Sequence, residues 1–74
     1  MKYLILEIQT NADGTIGTLI TQKDDLNEAM STYYTILAAA AISSLPLHAA
    51  VLMTNEGISL EWKAFDRREP EAEA

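Results

Sequence analysis

The chain has 74 residues, with 5 Lys+Arg against 11 Asp+Glu, a formal net charge of −6 and no cysteine. That is length for one small domain, and it excludes a disulfide scaffold, a thiolate metal site and a Cys nucleophile. Apolar residues make up 49%, too many for a disordered chain, yet below roughly 70–80 residues one core rarely supplies more than about 3–5 kcal/mol, so oligomerisation is the natural supplement.

Residues 2–10 (KYLILEIQT) and 15–22 (TIGTLITQ) read as two strands around Asn11-Ala12-Asp13-Gly14. Asn first, Asp third and Gly fourth suit a type I turn followed by a left-handed glycine, a G1 bulge. That turn sets Asn11 opposite Thr15, Ile8 opposite Thr18, Leu6 opposite Ile20 and Leu4 opposite Gln22. One face then carries Leu4, Leu6, Ile8, Ile16 and Ile20. The other carries Tyr3, Ile5, Glu7, Gln9, Gly17, Leu19 and Thr21. The first set is the more uniformly apolar and is expected to face the core.

A helix follows over roughly 26–44. Asp25 is the expected N-cap, with Glu28 three residues on completing a capping-box-like pair. Leu26, Met30, Tyr33, Leu37, Ala40 and Ser44 recur at three- and four-residue spacing as one stripe. Pro46 closes the element, because the residue before a proline avoids the helical region.

Residues 47–54 (LHAAVLMT) and 58–65 (ISLEWKAF) form a second hairpin around Asn55-Glu56-Gly57, with Gly57 at the left-handed position. With Thr54 opposite Ile58, the inward set is Ala50, Leu52, Ile58, Leu60, Trp62 and Ala64. The expected core is Trp62, Leu60, Leu6, Leu4, Tyr33, Leu37 and Met30. The last stretch, 66–74, is charged, contains Pro70 and has no large apolar group. It is expected to be a disordered acidic tail on a single domain spanning 1–65.

The order is therefore ββαββ, an α+β class. The helical crossover makes the second and third strands run the same way, so an all-antiparallel sheet has order 2-1-3-4 or 1-2-4-3. Polar and charged strands belong at edges, which selects 2-1-3-4, with the helix on one face. No membrane span is expected. The opening apolar run stops at Glu7, and the stretch 36–53 is broken by Ser43, Ser44, Pro46 and His48. The expected compartment is the cytoplasm.

Chemistry-bearing constellations are sparse. His48 is the one imidazole and has no sequence-local acid or nucleophile, so it reads as an ordinary strand-start histidine. Asp24, Asp25 and Glu28 read as a helix cap rather than a cation loop, which needs alternating oxygens and a glycine bend. Asn11–Gly14 lacks the later Glu of a calcium loop. Gly14, Gly17 and Gly57 are too dispersed to cradle phosphate. Lys2, Lys23, Lys63 and Arg67-Arg68 form no basic stripe, which argues against nucleic acid. No cofactor, metal or catalytic residue is assigned.

The informative feature is an absence: no Lys, Arg, Asp or Glu occurs from Ala29 through Asn55. A lone helix on a sheet ordinarily shows charges outward. Here the flank carries Tyr34, Ala38, Ala39, Ala41 and Ile42. This pattern predicts a second buried face, in a homodimer or against a larger protein, with Tyr34, Ala38, Ala41 and Ile42 as its interface. The opposing argument for the outer sheet face is weaker at this level, because Glu7, Gln9, Glu61 and Lys63 are assigned to it and unpaired charge is costly to desolvate.

The opening KYLILEIQTNADGTIGTLIT, the segment ILAAAAISSLPLHAAVLMTNEG and the acidic tail resemble a group of short uncharacterised proteins of bacterial genomes and their prophages, often encoded beside phage structural genes. The resemblance spans most of the chain. It implies a phage-associated accessory or structural role and assigns no residue. The expected function is a non-enzymatic, homo-oligomeric interaction module. The alternatives are a small-ligand binder or enzyme with a subunit-interface site near His48 and Tyr34, and an acidic mimic of nucleic acid.

Overall fold

A computed structural model describes residues 2–67; Met1 and residues 68–74 lie outside the described part. The elements are β1 (Tyr3–Thr10), β2 (Ile16–Lys23), α1 (Leu26–Ala41), β3 (Leu47–Thr54) and β4 (Ser59–Asp66). They form a ββαββ, α+β fold: a four-stranded sheet of order β2-β1-β3-β4, antiparallel throughout, with one helix.

The first turn closes as its residues dictate. Asn11 N donates to Thr15 O at 2.8 Å and Gly14 N to Asn11 O at 2.9 Å. Gly14 has φ +90°, where a side chain would be strained. The resulting register pairs Leu4 with Gln22, Leu6 with Ile20 and Ile8 with Thr18, as expected.

The second hairpin starts in its expected register and then leaves it. Thr54 N donates to Ile58 O at 2.9 Å, and Gly57 has φ +92°. Met53 then lies opposite Ser59, but Leu52 lies opposite Glu61, so Leu60 is an extra residue in β4. This is a β-bulge, and past it every side chain changes face. Val51 therefore faces Trp62, and Ala50 faces Lys63. Trp62 and Ala64 are not inward, contrary to the reading without a bulge. Trp62 is 68% exposed, and Leu60 and Ile58 are exposed too.

The helix begins as its cap predicts: Asp25 Oδ2 accepts from Glu28 N at 3.0 Å. It ends at Ala41, with Ile42 as C-cap, three residues before the expected stop. Lys23 pairs with Tyr3 and Leu47 with Thr10, so the helix leaves one end of the sheet and returns to the other. It rests chiefly on β3 and β1.

Between helix and sheet Ala29 and Tyr33 of α1 meet Ile5, Ala50 and Leu52, with Tyr3, Met30, Ile36 and Leu37 packed partly buried around them. Tyr33, Met30 and Leu37 thus belong where the periodicity put them. The first hairpin is turned over: Ile5 is fully buried, while Leu4, Leu6 and Ile8 are half-buried and Ile16 and Ile20 exposed on the side away from the helix. Register explains it. Ile5 pairs with Leu52, and cross-strand partners share a face, so the docking of Leu52 under α1 carries Ile5 with it.

The expected tail begins too early. Asp66 closes β4, and Arg67 N donates to Pro46 O at 2.7 Å. The Arg67 guanidinium donates to Ala40 O and Ala41 O, both at 2.9 Å. It supplies the cation that the last helical turn lacks. The rest of the proposed tail, 68–74, lies outside the described residues. Among the described residues no helix is long and apolar enough to cross a membrane.

Candidate functional site

Three surfaces can be built from this frame. The first is the sheet face away from the helix. Its rungs run across all four strands: Ile20–Leu6–Val51–Trp62 in the middle, Thr18–Ile8–Ala49–Ala64 and Gln22–Leu4–Met53–Ser59 on either side, and Ile16–Thr10–Leu47–Asp66 at one end. Asp66, at a corner, is the one charged residue in these four rungs. Ile16, Ile20 and Trp62 are each more than 60% exposed. The opposite face holds Glu7, Lys23, Glu61 and Lys63. The charges assigned to the outer face by sequence are therefore on the helix side, and the argument they supplied against the outer face falls away.

The second surface is a polar cluster at the helix side of β1 and β3. Gln9 pairs with His48 across the sheet. His48 is 4% exposed. Its Nε2 lies 2.7 Å from Glu7 Oε2, and Gln9 Nε2 donates to the same oxygen at 3.0 Å. The two nitrogens approach each other at 3.4 Å because both point at one acceptor. Nδ1 of His48 is buried with no hydrogen-bond partner among the described residues. Beside the cluster a groove of about 180 Å³ is lined by Glu7, Gln9, Gly17, Thr18 and Leu19, at the corner of β1 and β2 that the helix leaves uncovered. A general base needs a nitrogen within reach of substrate. One nitrogen of His48 is held by Glu7 and the other is buried, so the cluster pairs a buried imidazole with a partly buried carboxylate.

The third surface is the helix flank. Tyr34 is 53% exposed and Ile42 88% exposed, with Ala38 and Ala41 exposed between them. The four expected interface residues do form one outward flank. Tyr34 packs edge-on against Tyr33, ring centroids 5.4 Å apart, and burial, then the charge of Glu61, pushes the Tyr33 hydroxyl above its usual range. Tyr34 faces out while His48 is buried with Glu7, so they do not make one pocket.

The acidic residues have local employment. Asp24 accepts from Lys2 Nζ at 2.7 Å, and that hydrogen bond, then the lysine charge, holds its carboxyl below the ordinary range. Asp13 accepts from the Thr15 hydroxyl at 2.7 Å and its backbone N–H at 3.0 Å, which lowers it likewise.

No family model, curated protein or solved structure matches the chain. The sheet face and the Glu7–Gln9–His48 cluster both escaped sequence reading, for one reason: each depends on the β1–β3 pairing, which no turn fixes. Glu7 and Gln9 alternating on the face of Ile5 was the available signal.

Proposed function

We propose that this protein is a non-enzymatic interaction module, homo-oligomeric and prophage-associated, that works in the cytoplasm through contact surfaces rather than chemistry. The observation that carries this reading is the open sheet face, with Leu4, Leu6, Ile8, Ile20, Val51, Met53 and Trp62 on one side of the sheet and Asp66 as the single charge in its described rungs. Contiguous apolar surface of that size marks an interaction site. A chain without cysteine folds without an oxidising compartment, in keeping with the cytoplasm. The phage-associated role rests on the resemblance of the sequence alone.

The helix flank supports a second, smaller contact. Tyr34 and Ile42 anchor it, and Ala38 and Ala41 let another backbone approach. It is the place for a larger protein partner once the sheet face is occupied. The test is solution mass together with binding of an apolar dye. The reading expects an assembly larger than one chain; a monomer that binds the dye would keep the interaction surface and overturn the homo-oligomer. A monomer that leaves the dye unbound overturns it.

A further inference from the structure

We infer that the open sheet face is covered by a second copy of this chain, the two sheets packed face to face about a two-fold axis with the helices outside. This rests on the interaction reading above and names the partner at that surface. Four observations select a second copy.

The first is charge. Each chain carries −6, yet the four described rungs of the face contribute only Asp66, at one corner of one edge strand. Two identical faces can meet with no buried carboxylates opposed at their centre. The second is area. Eight-residue strands at about 3.3 Å per residue and about 4.8 Å between strands give a plane of roughly 26 by 19 Å. Two such planes remove about 1,000 Å² even before side-chain relief is counted, which meets the minimum of roughly 1,000 Å² for a biological interface.

The third is the size of the core. Ile5 and Leu52 are the largest fully buried side chains, and four of the other buried apolar residues among those described, Ala29, Ala40, Ala49 and Ala50, are alanines. Such a core is too small to sustain a chain of this length comfortably. The missing cover must be present whenever the chain folds, and another copy is the one partner guaranteed at that moment. The fourth is shape. The row beside the central rung Ile20–Leu6–Val51–Trp62 is Thr18–Ile8–Ala49–Ala64, so on its β3–β4 half the bulky Val51 and Trp62 adjoin two alanines. Interdigitation at about 10 Å sheet spacing needs that alternation.

The test uses the full chain, measuring mass by light scattering and thermal unfolding from low micromolar to near-millimolar concentration. The expected wild type has twice the chain mass, with a midpoint that rises by several degrees for each tenfold increase in concentration. Ile20→Lys is the informative variant, because Ile20 is 63% exposed in the single chain. It is expected to shift the species to monomer and flatten the concentration dependence, while Ala38→Lys on the helix flank leaves the dimer intact. If Ile20→Lys fails to fold, the concentration dependence of the wild type still decides. A wild-type monomer with a concentration-independent midpoint overturns the proposal. Dye binding by that monomer would leave the interaction reading standing with a different partner, and no dye binding would remove both. A dimer broken by Ala38→Lys but not by Ile20→Lys also overturns it, in favour of the helix flank.

Discussion

On the helix side of the sheet, Ile5, Ala50 and Leu52 are sealed by Ala29 and Tyr33, Glu7 is paired with His48, and the remaining charges, Lys23, Glu61 and Lys63, sit on the edge strands. On the other side, Ile20, Leu6, Val51 and Trp62 make an apolar rung that no other described residue of the chain covers. The more apolar face is the open one. Burial inside a chain is decided by where the helix can dock, and α1 needs small residues beneath it as much as apolar ones: Ala50 and Leu52 admit Tyr33, and a face led by Leu6 and Trp62 would not seat the same helix so closely. What the helix does not cover is the surface we propose for association.

That contrast predicts unequal consequences for substitutions on the two faces. Leu52→Ala, under the helix, should cost about 2–5 kcal/mol in urea unfolding, at any protein concentration. An effect that disappears on dilution would mean that Leu52 belongs to an interface instead. Next in size is the polar cluster. Glu7→Ala leaves the buried His48 N–H and the Gln9 amide without their acceptor and should cost about 1–3 kcal/mol. Glu7→Gln keeps the size and an acceptor and should cost less; equal losses would show that a neutral acceptor cannot stand in for the carboxylate.

A smaller effect separates Arg67 from the residues beyond it. Ending the chain after Asp66 removes two charge-assisted hydrogen bonds to the helix C-terminus and the stacking of the guanidinium on Phe65. The expected loss is about 1–3 kcal/mol at most, because hydrogen bonds from a charged group are the stronger kind and these are partly solvated. Ending it after Arg67 should leave the melting temperature unchanged. A fall with the longer form would show that the terminal residues stabilise the fold.

The smallest effect is alkaline. The Tyr33 pKa is raised in the folded chain by burial and the neighbouring Glu61 charge, so the folded state holds that proton more tightly than the unfolded one. The linked stability is fully present below the ordinary tyrosine value of 10.0 and is lost as pH rises through the folded value. Tyr33→Phe should therefore shrink the alkaline loss of stability without changing neutral stability much. An unchanged alkaline limb would assign that loss to other groups.

Much of this fold was legible because its signals are local. Asn11 through Gly14 and Gly57 specify turns, Asp25 specifies a helix start, and charge placement selected the order 2-1-3-4. Facing was not legible, because it is a parity carried across chain-distant pairs. The β1–β3 register depends on Ile5 meeting Leu52, and a single extra residue at Leu60 turned Trp62 outward. Ranking the faces by apolar purity then chose the wrong one for the first hairpin. The outward flank of Tyr34, Ala38, Ala41 and Ile42 was read correctly as exposed and uncharged, since helical periodicity is local. The competing sheet face was hidden by the same parity error.

Trp62 is the single tryptophan of the chain, it lies on the central rung of the open face, and it is 68% exposed in one copy. Its fluorescence therefore reports directly on whether that face is covered. We expect emission characteristic of a buried indole, shielded from a soluble quencher, at high protein concentration, moving to water-exposed, quenchable emission on dilution as the dimer separates. Water-exposed emission at every concentration, from a protein that stays folded by circular dichroism, would contradict the covered face.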